Sequence, residues 1–149
     1  MSHVTEVAVE ITDLGCLQRA AKRLGLELRY GQEKYRWYGR HVGDYAIPAG
    51  FTQADLGRCE HAISMPNNDT AYEIGVVKRR DGKSGYTLHF DFWSGGYGIE
   101  AVVGVGCSKL VNLYSAEVAT QEAMMLGYSV MGEKINEDGS IELLIQAQG

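Results

Sequence analysis

The sequence predicts an α+β fold: a mainly antiparallel sheet of about six or seven strands with two helices packed on one face. Three observations carry it. A period-two apolar run opens the chain and passes directly into a helical pattern closed at Gly25; two alternating runs flank an Asp81-Gly82 turn; and a long helical segment ending at Gly127 leads into two further runs divided by Asn136-Glu137-Asp138-Gly139. Helices that link hairpins on a shared sheet cover one apolar face and leave the other to solvent or a partner.

At 5–11, Val7, Val9 and Ile11 alternate with Glu6 and Glu10, the pattern of a strand with one wet face. Asp13 can then cap a helix in which Leu14, Leu17, Ala20, Ala21 and Leu24 share a stripe and Gln18, Arg19, Lys22 and Arg23 face away. Gly25 supplies the left-handed stop. Leu26, Leu28 and Tyr30 alternate again as a second strand. Residues 31–58 mix Tyr35, Trp37, Tyr38, Tyr45 and Phe51 with glycines and read as a packed flap with one helical turn, because so many rings exposed together would be a sticky patch.

His61, Ile63 and Met65 alternate before the turn at Pro66-Asn67-Asn68-Asp69. The runs 72–78 and 86–93 pair as a hairpin across the Asp-Gly dipeptide. A helix over about 106–126 places Cys107, Leu110, Tyr114, Val118 and Met125 on one stripe. At ~1.5 Å per residue it would be about 30 Å long, enough to cross the sheet. The runs 128–135 and 140–147 close the chain as a second hairpin.

A chain of 149 residues can bury one core unaided, so a single domain is expected over 1–149, with the flap-like insertion at about 31–58. The net charge of −5 and the lack of a basic run exclude a nucleic-acid binder that works by neutralising phosphates. Lys78, Arg79, Arg80 and Lys83 flank Asp81-Gly82 and read as a solvated hairpin tip. Three widely spaced cysteines, Cys16, Cys59 and Cys107, lack a C-x-x-C pair and suit a reducing compartment. With no membrane-spanning stretch or signal-like start either, the expectation is a soluble, cytoplasmic protein.

Four constellations could carry chemistry. Cys59 with His61, and His89 with Asp91, are each spaced by two on strands, so each pair would share a sheet face and all four could hold a metal such as zinc. Gly104, Gly106, Ser108 and Lys109 sit at the start of the long helix, where free N–H groups could hold an anion; the plainer reading is that the glycines let the helix start pack closely. Neither a Walker A loop nor a dinucleotide fingerprint is present, and no cofactor is expected. Cys107, at that same helix start, is a candidate activated thiol, although its place on the apolar stripe suits a buried side chain better. Finally, alternation turns Leu88, Phe90 and Phe92 to the core and His89, Asp91 and Trp93 to the opposite face. With Trp37 from the flap and Gly96 and Tyr97 from the glycine-rich turn, they make the preferred ligand- or partner-binding set.

The opening Met1-Ser2-His3, the Gly75 strand, the Asp91-Phe92-Trp93 run and the close Asn136-Glu137-Asp138-Gly139-Ser140-Ile141 after Gly127-Tyr128 resemble the hypothetical chloroplast reading frame thirty-five family, found in plastids, cyanobacteria and other bacteria. The resemblance covers 1–30 and 60–147. It implies a small α+β domain with no established reaction and, because some members lie near AAA-type ATPase genes, an adaptor or accessory role.

The function these readings favour is non-enzymatic: binding of a protein partner, such as an AAA-type ATPase or a larger assembly, or of a small aromatic or polar ligand, through the less buried sheet face. Two alternatives stand beside it, a metal- or thiol-dependent enzyme and a structural subunit of a homo-oligomer joined through edge strands.

Overall fold

The computed structural model describes residues 2–43 and 45–147. The fold is α+β, and every strand pairing among the described residues is antiparallel. In chain order the elements are β1 (Thr5–Ile11), α1 (Leu14–Arg23), β2 (Glu27–Tyr30), β3 (His61–Ser64), β4 (Ile74–Lys78), β5 (Tyr86–Phe90), α2 (Ile99–Val103), α3 (Ser108–Met125), β6 (Tyr128–Ile135) and β7 (Ile141–Ala147). The strands divide into two sheets, one ordered β1-β5-β4-β3-β2 and one formed by β6 and β7 alone.

Sequence accounts for the ends of α1. The Asp13 carboxylate accepts the amide of Cys16 at 3.0 Å, and the chain leaves the helix through Gly25, whose φ of 74° favours glycine. The apolar stripe of α1, Leu17, Ala20 and Ala21, and that of α3, Leu110, Leu113 and Tyr114, bury against Leu28, Ile63, Ile74, Val76, Leu88 and Phe90 on one face of the larger sheet. Each fully buried Leu or Ile contributes about 1.5–3 kcal/mol, so this layer supplies most of the apolar stabilisation. The Tyr114 hydroxyl accepts the amides of Thr12 and Asp13 at 3.0 and 3.2 Å and fixes the exit of β1 beneath α3. No helix of the described residues is long and apolar enough to cross a membrane.

Three expectations need correction. The last hairpin does not join the larger sheet. Only Leu126 and Gly127 separate α3 from β6, and Asn112 donates to the Gly139 carbonyl at 2.8 Å, so the hairpin folds back along α3. Ile99–Val103, between the glycine-rich turn and the helix expected from about 106, is a short helix of its own whose Ile99 and Val103 are fully buried. And Met125 leaves the predicted stripe at 80% exposed, because α3 runs on past Gln121, the last of its side chains bonded to α1.

The second sheet face is covered as well. Tyr35, Cys59, Ala62 and Val77 form a buried cluster there, flanked by Trp37 and Phe51, so the insertion packs as a layer on this face. Its base is stitched by backbone bonds from Tyr35 to Gly57 at 3.0 Å and from Cys59 to Glu33 at 2.9 Å. Gly75 makes the layer possible: a Cβ there would lie 2.4 Å from Cδ1 of the Tyr35 ring. Ala62 stands beside it in register, so two small residues form the bay that the ring fills. Arg80 clamps the outer edge, reaching Asp55 at 2.8 Å and lying 4.4 Å above the Phe51 ring, so the basic hairpin tip is tied to the insertion as well as solvated.

Gly75→Ala is therefore expected to lose about 1–3 kcal/mol by overpacking against Tyr35. Gly132→Ala, with nothing within 4 Å of the added methyl, should change stability by less than about 0.5 kcal/mol. Denaturant melts of the two variants check the contrast.

Candidate functional site

Asp91 lies just past the end of β5 and is 1% exposed. A carboxylate so buried needs donors, and three converge on it: the Ser2 hydroxyl, the Tyr38 amide at 3.3 Å and the Trp93 amide at 3.0 Å. The first brings in the N-terminal residues, the second the insertion, the third the turn after β5. Asp91 is thus the knot where three segments meet.

The turn beyond it is unusual. Ser94, Gly95, Gly96 and Tyr97 all hold left-handed backbone, with φ of 54°, 66°, 59° and 54°. Glycine adopts this freely, but each of the other two costs roughly 1–2 kcal/mol. Gly96 has no alternative: a Cβ would meet Ile99 Cγ2 at 2.8 Å, while its carbonyl accepts the Tyr72 amide at 2.9 Å. The result is an aromatic corner. Trp93 lies 5.9 Å from Tyr97 and 6.0 Å from Tyr38 between ring centres, and Tyr72 supports Tyr97 from below at 5.1 Å. Tyr38, Trp93 and Tyr97 are 48%, 42% and 46% exposed. Beside them opens a hollow of about 470 Å³ bordered by His3, Thr5, Asp91, Trp93, Ser94 and Glu100.

Of the six residues expected to bind, only Trp93 and Tyr97 form this surface. Gly96 and Asp91 shape it from beneath. Trp37 is packed elsewhere, its indole nitrogen 2.5 Å from where a Gly57 Cβ would sit. His89 is also 1% exposed, with Nε2 3.0 Å from Glu6 Oε2 and its ring in a T-shaped contact with Phe51, 4.6 Å between centres. Burial lowers its pKa below 6.5, against the opposing pull of Glu6. The less buried face on which His89 and Asp91 were expected is filled by the insertion, and the exposed rings of Tyr38, Trp93 and Tyr97 lie at its rim. Sequence reasoning placed Tyr38 in the aromatic set but not in the site. A signal for it exists: Tyr35 and Trp37 share the inward parity, which turns Tyr38 outward.

The metal quartet is not assembled. His61 pairs with Val76, and Val76 with Leu88, which puts His61 on the helix-covered face; His89 pairs with Gly75 on the other. Cys59 precedes β3, so period-two spacing does not link it to His61; it belongs to the cluster under the insertion. No three His, Cys, Asp or Glu side chains gather for a metal among the described residues. Cys107 is fully buried, and burial pushes its thiol up to about 12, the opposite of activation. Cys59 is likewise pushed up to about 12. At the anion candidate, a Cβ on Gly104 would lie 2.7 Å from Ser108 Oγ and 3.1 Å from the Lys109 amide, so the glycine is there for close packing. Glu100 shares the hollow of about 640 Å³ with Gly104, Ser108 and Lys109, while Gly106 faces open space.

No protein-family model, curated protein or solved structure matches the chain.

Two outcomes follow from the buried polar groups. Asp91→Asn keeps the shape but replaces one acceptor oxygen by a donor, and should cost about 1–3 kcal/mol while speeding exchange of the Tyr38 and Trp93 amides. Hydrogen exchange checks it. For His89 the sign runs with burial. The folded state keeps the ring neutral while the unfolded chain takes up a proton below about pH 6.5, so its stabilising contribution is full above that value and is lost as pH falls toward the lower folded pKa. Denaturant midpoints between about pH 7 and about pH 5 should fall less steeply in His89→Gln than in the native chain.

Proposed function

We propose that this chain is a non-enzymatic binding protein, an adaptor that contacts a protein partner through the aromatic corner of Tyr38, Trp93 and Tyr97. One observation carries the reading. Three large rings, each about half exposed, are grouped on backbone that Asp91 and a left-handed turn hold in place. Tyr and Trp offer wide contact area with few rotatable bonds, and they dominate the energetics of protein interfaces. A rigid mount lowers the ordering cost of binding further. Backbone held in a sparsely populated region is also more frequent at functional sites than elsewhere.

The half-exposed rings of the corner favour a protein surface over an enclosed small ligand. The resemblance to the chloroplast reading frame family makes an assembly containing an AAA-type ATPase the first partner to try. Its test uses two variants. Proteins retained by the native chain should be lost from a Trp93→Ala, Tyr97→Ala double variant, and kept by Trp37→Phe, which leaves Trp93 as the single indole. Adding the partner to Trp37→Phe should then shift the Trp93 emission. Equal retention by the double variant, with its circular dichroism unchanged, would remove the corner from the function.

A further inference from the structure

The β6-β7 hairpin carries an exposed apolar surface that the aromatic corner does not use. Tyr128, Ile145 and Leu144 are 37%, 45% and 65% exposed, and Met124, Met125 and Leu126 at the end of α3 are 64%, 80% and 76% exposed beside them. A two-stranded ribbon is marginal alone and leaves an unpaired edge on each strand. The two edges differ. β6 has a bulge between Val130 and Gly132, carries Glu133 and Lys134, and is tied to α1 by the Arg23–Glu133 pair. β7 has no bulge, no proline and no lysine over its seven residues, and among the described residues its backbone bonds go to β6 alone. The devices that keep an edge from pairing are gathered on β6, while β7 carries one charge, Glu142, and no other.

We propose that β7 pairs antiparallel with β7 of a second copy of this chain, about a two-fold axis passing beside Leu144, to make a four-stranded sheet with an α3 helix on each half. Register follows from the strand. Centring on Leu144 is the one symmetric alignment that pairs all seven residues of Ile141–Ala147. It sets Leu143 against Ile145 of the copy, and Glu142, the single charge on the strand, against Gln146. No like charges meet, so the strand is complementary to itself. Side-chain direction agrees. Ile141, Leu143 and Ile145 lie on the face that holds α3, with Ile141 packed on the main core, so pairing extends an apolar layer that the helix already covers in part. On the outer face Leu144 stands opposite Gly132, which leaves room for two leucines to meet across the axis. A second copy is the natural occupant because an undefended, self-complementary edge meets its own kind at every concentration.

The experiment reads mass and register together. Light scattering should give twice the 16.4 kDa chain mass at micromolar concentration. Leu144→Lys, at a site exposed enough to tolerate it, should raise the dimer dissociation constant about tenfold or more, because two ammonium groups then face each other. Single cysteines fix the alignment, since the native ones are all buried. Leu144→Cys should form a covalent dimer under mild oxidation; Glu142→Cys and Gln146→Cys should do so only when mixed. A monomeric native chain, a dimer indifferent to Leu144→Lys, or self-linking of Glu142→Cys alone would each overturn the proposal. None of these readouts touches Trp93 or Tyr97, so success or failure here is independent of the aromatic corner.

Discussion

The buried Asp91 carboxylate is the constraint on which the rest of the molecule depends. At 1% exposure it is tolerable only if hydrogen bonds replace its water, and among the described residues those bonds come from Ser2, Tyr38 and Trp93. Each donor belongs to a segment with little regular structure of its own. Satisfying one charge therefore orders the N-terminal residues, the insertion and the turn after β5 together. Glu73 plays a parallel part at 4% exposed, accepting the Arg36 amide at 2.8 Å and the Gln32 side chain at 3.1 Å. Two buried acids on one sheet face thus fix a layer that has almost no helix or strand to hold it.

This arrangement explains why the second face became a core. Its apolar content is small, centred on Tyr35, Cys59, Ala62 and Val77, far less than the helix-covered face buries. Apolar area alone would hold the insertion weakly. Charge-assisted bonds to Asp91 and Glu73, the Tyr35 ring seated on Gly75 and the Arg80 clamp on Asp55 add direction, so the layer packs in one way. The same logic accounts for His89, which sits between the two layers, loses its water to Phe51 and the sheet, and keeps Glu6 as its polar neighbour.

Much of the framework was legible because its determinants are local. Asp13 and Gly25 bracket α1, Asp81-Gly82 joins β4 to β5, and Gly127 turns α3 into β6, each through neighbours in sequence. What escaped depends on distant partners. Alternation assigned His89 and Asp91 correctly to the face opposite Leu88, but sequence has no term for what covers that face, and the insertion does. Period-two logic failed at Cys59 because β3 begins only at His61. The seven strands were foreseeable and their division was not, since whether a terminal hairpin joins a sheet or folds along a helix turns on contacts such as Asn112 with Gly139. At the aromatic corner, Trp93 and Tyr97 were visible as residues, while Tyr38 was recoverable only from the inward parity of Tyr35 and Trp37.

The strained turn shows how the corner is kept. Two non-glycine residues in left-handed backbone cost a few kcal/mol together, comparable with a large part of a domain's net stability. The turn persists because its ends are held from both sides. Asp91 fixes the Trp93 amide at the start, the Gly96 carbonyl takes the Tyr72 amide in the middle, and Ile99 anchors the exit in the core. Relaxing Ser94 and Tyr97 to ordinary backbone would shift Gly96, whose carbonyl holds the Tyr72 amide, and with it the Tyr97 ring now beside Trp93. Strain and anchoring are therefore parts of one device: the anchors hold a conformation that the local sequence does not favour, and that conformation is what sets the rings side by side at the surface.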